Sequence, residues 1–138
     1  MNKIGGKIGT VLSVALLSAC QSGQPSDSLS LTTQTSPSNL IVSVGKIIQT
    51  CWFKSGDPAF RTYRLASEVN SYAGRPRLLL VPKNNPGGLP ELVVQAEKSS
   101  NSTNLQTYGP ILSGNNGKRI TDDIKRWSRG NSACKAIG

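Results

Sequence analysis

The sequence predicts an α+β domain in which one helix is followed by a three-stranded antiparallel meander and a second helix. Three observations lead to this fold. Apolar residues recur at helical spacing over 40–52 and again over 120–127, whereas the segments between them alternate apolar and polar residues. Cysteines lie near the end of each predicted helix, at positions 51 and 134. We therefore expect a single domain over residues 38–138, with its two helices joined by a disulfide.

The first predicted helix begins at Ser38 or Asn39, because either side chain can cap a helix. Gly56, followed by the Asp57-Pro58 pair, ends it. Its apolar face follows the i, i+3/i+4, i+7 pattern and consists of Leu40, Ile41, Val44, Ile47, Ile48, Cys51 and Trp52.

Three segments then alternate in the manner of half-buried strands, over residues 63–69, 77–81 and 92–97. A turn at Asn84–Gly88 separates the second from the third. Leu105–Leu112 is an optional fourth strand, because Gly109-Pro110 interrupts it. The pattern is typical of an antiparallel sheet with one covered face and one partly wet face.

The last predicted helix covers Gly117–Arg129, and Gly130 follows as the residue that ends it. Apolar residues lie on one of its faces and charged residues on the other. The basic residues of the charged face form a candidate contact surface for an anionic partner, the alternative being that their charge serves solubility alone. They are Lys118, Lys125, Arg126 and Arg129.

The first twenty residues have the organisation of an export signal. Lys3 and Lys7 precede the apolar stretch Ile8–Leu17, whose ten residues are too few for a transmembrane helix of about 20. Leu17-Ser18-Ala19-Cys20 follows and resembles the lipobox of bacterial lipoproteins. The resemblance implies a signal peptide over 1–19 and a lipid on Cys20. Because Gln21 stands where an aspartate commonly retains such proteins in the inner membrane, the resemblance also implies the outer membrane. We expect the domain on its periplasmic face, the alternative being exposure at the cell surface.

Residues 20–37, the lipidated cysteine and the segment after it, are rich in Ser, Thr, Gln and Pro. Such a segment buries too little apolar surface to offset its ordering entropy, so we expect a flexible tether. Once Cys20 carries lipid, Cys51 and Cys134 remain as a pair in an oxidising compartment. We predict a structural disulfide between them, since a redox pair is usually separated by only two residues at a helix start.

The order of elements in the domain is similar to the C-terminal domains of the TonB/TolA family of periplasmic proteins. The similarity covers about 39–134 and depends on Cys51-Trp52 at the end of the first helix, on the hairpin segments Arg77–Val81 and Glu91–Val94, and on Cys134 after the last helix. This chain departs from the family in having a lipid anchor in place of an inner-membrane helix and stalk. The resemblance implies a protein-interaction module that works by strand addition at a sheet edge.

The charge of the chain and the residue types it contains exclude some classes of function. The 138-residue chain carries 16 Lys and Arg against 7 Asp and Glu and contains no histidine, so we expect neither a histidine-based catalytic triad nor a cofactor or metal. The predicted function is a non-enzymatic binding or scaffolding lipoprotein of the outer membrane. The alternative is an accessory lipoprotein of a secretion, pilus or conjugation machine, and an envelope hydrolase is disfavoured. Expected partners are the membrane, through the lipid, and an envelope protein or anionic envelope polymer; nucleic acid is not expected.

Overall fold

The structure is a computed structural model, and it describes residues 5–6, 28–70 and 73–135. Cys20, which is the predicted lipidation site, most of the predicted signal peptide and residues 21–27 of the predicted tether lie outside the described residues. Within the described part of the chain, no helix is both long and apolar enough to cross a membrane.

The described residues form five strands and two α-helices, with short helical turns between them. The strands are β1 (Leu29–Thr33), β2 (Tyr63–Glu68), β3 (Arg77–Pro82), β4 (Leu92–Ser99) and β5 (Ser102–Tyr108). The helices are α1 (Pro37–Ile48), which continues as a π-helical segment (Gln49–Lys54), and α2 (Gly117–Ser128). Two 3₁₀ turns (Pro58–Phe60 and Pro110–Ser113) complete the fold. The α+β class and both predicted helices are confirmed.

The sheet has five antiparallel strands in the order β1-β5-β4-β3-β2, so the prediction of three strands with an optional fourth is too low. The fourth strand of the meander, β5, forms because Gly109-Pro110 follows it rather than interrupting it. Gly109 has a φ of 142°, and a Cβ there would lie 2.3 Å from the Glu91 carbonyl oxygen. Glycine therefore permits the close approach of the chain at the end of β5.

The fifth strand, β1, comes from the segment predicted as a tether, and its pairing with β5 corrects that prediction over residues 29–33. Leu29 and Leu31 alternate with exposed polar residues and pack against the core. Two leucines in a background of Ser and Thr are too weak a pattern to identify a strand locally. The backbone hydrogen bonds offered by β5 decide its conformation.

Both helices contribute to one core on the same face of the sheet. Ile41, Val44 and Ile48 of α1 and Ile120 and Ile124 of α2 are buried there with the inward residues of the central strands. Aromatic rings close the core at the end of the first helix. Trp52 stacks on Phe60 with ring centroids 4.2 Å apart and lies 5.3 Å from Trp127. Such ring pairs contribute beyond their buried area, so this corner is well fixed.

The two ends of the sheet differ in the connections between strands that lie there. The loop end is the end where β1, β2 and β4 begin and β3 and β5 finish, so that Leu29, Tyr63, Pro82, Leu92 and Tyr108 lie there. The loop over residues 83–91 connects β3 to β4 at this end. The hairpin end is the opposite one, where β4 and β5 are joined by a tight turn after Ser99.

Candidate functional site

A disulfide joins Cys51 to Cys134, with the two Cα atoms 5.1 Å apart, as the sequence predicts. Cys51 is buried on the apolar side of the first helix, while Cys134 is exposed in the segment that follows α2. The bond therefore holds the C-terminal segment against the end of the first helix. It closes a chain of 83 residues, which limits the conformations of the unfolded state strongly.

An open groove of about 910 Å³ lies over this disulfide, between the end of the first helix and α2. It is larger than two other pockets beside the first helix, of about 340 and 120 Å³. Besides the two cysteines, charged side chains dominate its lining: Asp57, Lys118, Arg119, Asp122, Asp123, Arg126 and Lys135. Their number and mixed sign make the groove the candidate functional site, and the pairing of these charges decides what it can bind.

Asp123 is at the centre of the charged groups. Its carboxylate is only 6% exposed and accepts a hydrogen bond from Trp52 Nε1 at 2.9 Å and another from Arg126 Nη2 at 2.5 Å. Arg119 Nε lies 3.8 Å from the same group. A buried carboxylate is costly unless it is paired and hydrogen-bonded, and here both of its oxygens have partners. Asp123 therefore links the first helix to α2 rather than offering a free acid to a ligand.

Asp57 and Arg119 form the second pair of the groove. Asp57 caps the 3₁₀ turn by accepting from the Ala59 backbone N–H at 3.0 Å, and its other carboxylate oxygen binds Arg119. The hydrogen bond from the Arg119 guanidinium holds the pKa of the Asp57 carboxyl below its usual range, and the same bond raises the pKa of Arg119. Asp57 is thus ionised at neutral pH and cannot serve as a general acid there.

Arg126 fastens the C-terminal segment. Its Nε donates to the Ala133 carbonyl oxygen at 2.9 Å, and its Nη2 donates to Asp123 and, at 3.2 Å, to the Cys134 carbonyl oxygen. Trp127 Nε1 donates to the same Ala133 oxygen at 2.9 Å. With an 11% exposed side chain and three acceptors, Arg126 belongs to the packing around the disulfide.

The predicted basic face of α2 is therefore divided. The Arg126 side chain is largely buried and engaged as described above, whereas Lys118, Lys125 and Arg129 are exposed. Lys118 pairs with Asp122 one turn later, at 2.6 Å. Lys125 and Arg129 have no salt bridge to any described residue. Three of the four predicted contact residues are thus placed where a partner could reach them.

Sequence reasoning missed the Asp57–Arg119–Asp123 set. Each of these residues has an ordinary local explanation, as a helix-ending residue or as part of a charged helix face. Arg119 and Asp123 are four residues apart, which favours a surface pair on one helix. Their contacts with Asp57 and Trp52 cross more than 60 positions of the chain, and no local pattern signals such contacts.

The groove is thus a hydrogen-bonded cleft in which each lining acid is paired with a cation. Among the described residues, no group of three or more His, Cys, Asp or Glu side chains is placed to hold a metal ion. No protein-family model, curated protein or solved structure matches this chain. The resemblances to lipoproteins and to TonB/TolA domains accordingly stay predictions from the sequence.

Proposed function

We propose that the protein is a non-enzymatic lipoprotein of the outer membrane, whose α+β domain acts as a binding or scaffolding module in the envelope. The observation that carries the proposal is the ordered series of Lys3 and Lys7, the apolar stretch Ile8–Leu17, and the Leu17–Cys20 box. The thiol of Cys20 would accept the diacylglycerol group, and more than one acyl chain gives lasting attachment.

The Cys51–Cys134 disulfide supports an exported location, because disulfides persist in oxidising compartments and are rare where glutathione keeps thiols reduced. The bond also leaves the domain without a free thiol among the described residues. This favours a domain that functions through its surface rather than through cysteine chemistry.

The exposed part of the α2 face supports an anionic partner. Lys118, Lys125 and Arg129 project from one helix, and residues 38–138 have 14 Lys and Arg against 6 Asp and Glu. An acidic protein surface or an anionic envelope polymer would complement this charge. Membership of a secretion, pilus or conjugation assembly is one setting in which such a module would act.

The test is lipid labelling of the full chain in bacteria fed a clickable palmitate analogue, followed by membrane fractionation. We expect label on the wild-type chain and its recovery with the outer membrane. Cys20→Ala should remove both, because the acceptor thiol is lost, while Cys51→Ala should keep the label. An unlabelled wild-type chain in the soluble fraction would refute the proposal.

Crosslinking in the same cells tests the binding role. Partner recovery should fall when Lys118, Lys125 and Arg129 are replaced by glutamine, with Arg126 kept because of its packing role. The matched control removes the same number of positive charges elsewhere, at the exposed residues Lys46, Lys54 and Lys98. Equal recovery from both variants would mean that the α2 face does not select the partner.

A further inference from the structure

We propose that the loop end of the sheet rests on the anionic surface of the bilayer that holds the lipid anchor. The inference builds on lipid attachment at Cys20, proposed above, and adds which surface of the domain faces the membrane and what it recognises there. Tether length, charge and exposed apolar groups at the loop end support it independently.

The segment between Cys20 and the sheet is short. Leu29 lies at the loop end, and only the eight residues 21–28 separate it from Cys20. A chain of eight residues cannot span more than about 30 Å. Because β4 has 8 residues, the hairpin end lies about 25 Å farther along the strands. An orientation with the hairpin end against the headgroups would require residues 21–28 to be almost fully extended, so the short segment favours the loop end there.

The loop end carries unpaired positive charge. Arg61, Arg64 and Lys83 are exposed there, and none forms a salt bridge with a described residue. Lys83 Nζ donates to the Arg61 carbonyl oxygen at 2.7 Å, which holds these two segments together. Glu91 is the acid of the adjoining loop and is half-buried. The loop end therefore keeps a net positive charge that anionic headgroups would attract.

The hairpin end lacks this excess of unpaired positive charge. Arg77 binds Glu68 there, and Arg75 Nε lies 3.1 Å from Glu97 Oε2, so that both arginines are neutralised within the protein. Lys98 remains as an exposed cation without a salt bridge among the described residues. The two ends of one sheet thus differ in charge pairing, and it is the end closer to the predicted anchor that is left unpaired.

Exposed apolar and aromatic side chains also lie at the loop end. Three large apolar or aromatic side chains are exposed in the described part of the chain, and two of them, Leu89 and Tyr108, are at the loop end. Leu89 is 89% exposed in the β3–β4 loop, and Tyr108 is 41% exposed as the last residue of β5. Leucine partitions into the acyl boundary, and tyrosine is typical of the headgroup level. Both side chains suit a bilayer surface beside the cationic groups.

The experiment uses the lipidated full chain, labelled with ¹⁵N, in nanodiscs of phosphatidylethanolamine and phosphatidylglycerol that contain a doxyl-labelled lipid. We expect amide signals of the 83–91 loop and Tyr108 to lose more intensity than those of Ser99–Ser102. In discs of phosphatidylcholine, which lack net negative charge, this loss should diminish. Greater broadening at the hairpin end or along α2, or none in either disc, would overturn the inference.

Matched variants separate the contribution of positive charge from that of the exposed apolar side chain. Lys83→Gln should lower the equilibrium between surface-bound and free domain roughly fivefold, whereas Lys98→Gln, at the hairpin end, should leave it unchanged. Leu89→Ser should weaken contact and Val42→Ser, an exposed apolar position on α1, should not. Equal effects within either pair would contradict the inference.

The mass of the purified chain is measured first, which separates the two proposals. A chain without diacylglycerol on Cys20 refutes the lipoprotein proposal itself. A lipidated chain whose loop end is not broadened refutes only the orientation.

Discussion

The groove and the loop end carry the same kinds of charged residue and use them differently. In the groove, Arg119 and Arg126 bind carboxylates and backbone oxygens, and Asp123 is 6% exposed. At the loop end, Arg61 and Lys83 are exposed and have no salt bridge to a described residue. Removing one member of a buried charge pair leaves its partner uncompensated and destabilises the fold. An exposed unpaired charge, in contrast, remains free to attract a partner.

The groove depends most on its disulfide, so the largest effect is expected there. Replacing both Cys51 and Cys134 by alanine should lower the free energy of unfolding by about 4–5 kcal/mol, because the unfolded chain gains the freedom of an opened loop. Urea denaturation measures the change. Dithiothreitol should destabilise the wild type by a similar amount and leave the variant unaffected. A wild type insensitive to reduction would show that the bond contributes little.

Replacement of Asp123 is expected to give the next largest loss of stability. Asp123→Ala should cost about 3 kcal/mol, because Trp52 Nε1 loses its acceptor and Arg126 its partner in a buried setting. Asp122→Ala is the matched control, since this neighbouring residue makes only an exposed pair with Lys118, and about 0.5 kcal/mol is expected. Similar losses for the two variants would remove the distinction between buried and exposed pairs.

Acid should lower the stability of the fold through protonation of Asp57. Its folded-state pKa is lower than its unfolded-state value of about 3.8, so the stability it contributes is present above that value and is lost as the pH falls through the folded pKa. We expect the thermal midpoint to decline below about pH 4, and to decline less steeply in Asp57→Asn and in Arg119→Gln. An unchanged acid dependence in both variants would assign the decline to other carboxyl groups.

The smallest effect on stability is expected at the loop end. The same change, arginine to glutamine, can be made there and in the groove. Arg61→Gln should change the free energy of unfolding by less than about 0.5 kcal/mol, as for most surface changes. Arg126→Gln should cost about 2 kcal/mol, because Asp123 loses its charged partner and two C-terminal carbonyl oxygens lose a donor. Equal losses at the two positions would mean that the loop-end arginine is also structural.

Local patterns in the sequence were sufficient for the helices, the central strands and the disulfide. The residues at helical spacing, Ile41, Val44 and Ile48 in the first helix and Ile120 and Ile124 in the second, are all buried in the core. An amphipathic helix buries its apolar face against whatever apolar surface lies beside it, so the spacing alone identifies that face. Cys51 and Cys134 could be paired by elimination once Cys20 was assigned to lipid. These features are determined by the sequence because each is encoded by residues close together or by a count.

Tertiary structure alone decided the rest. β1 became a strand because β5 offered it a partner, although its own residues resemble a tether. Arg126 was set apart from Lys125 and Arg129 because the returning C-terminal segment brought carbonyl oxygens to its guanidinium. Asp123 met Trp52 across 71 positions of the chain. The sequence determines which groups are available, whereas burial and long-range pairing determine which of them remain free to bind.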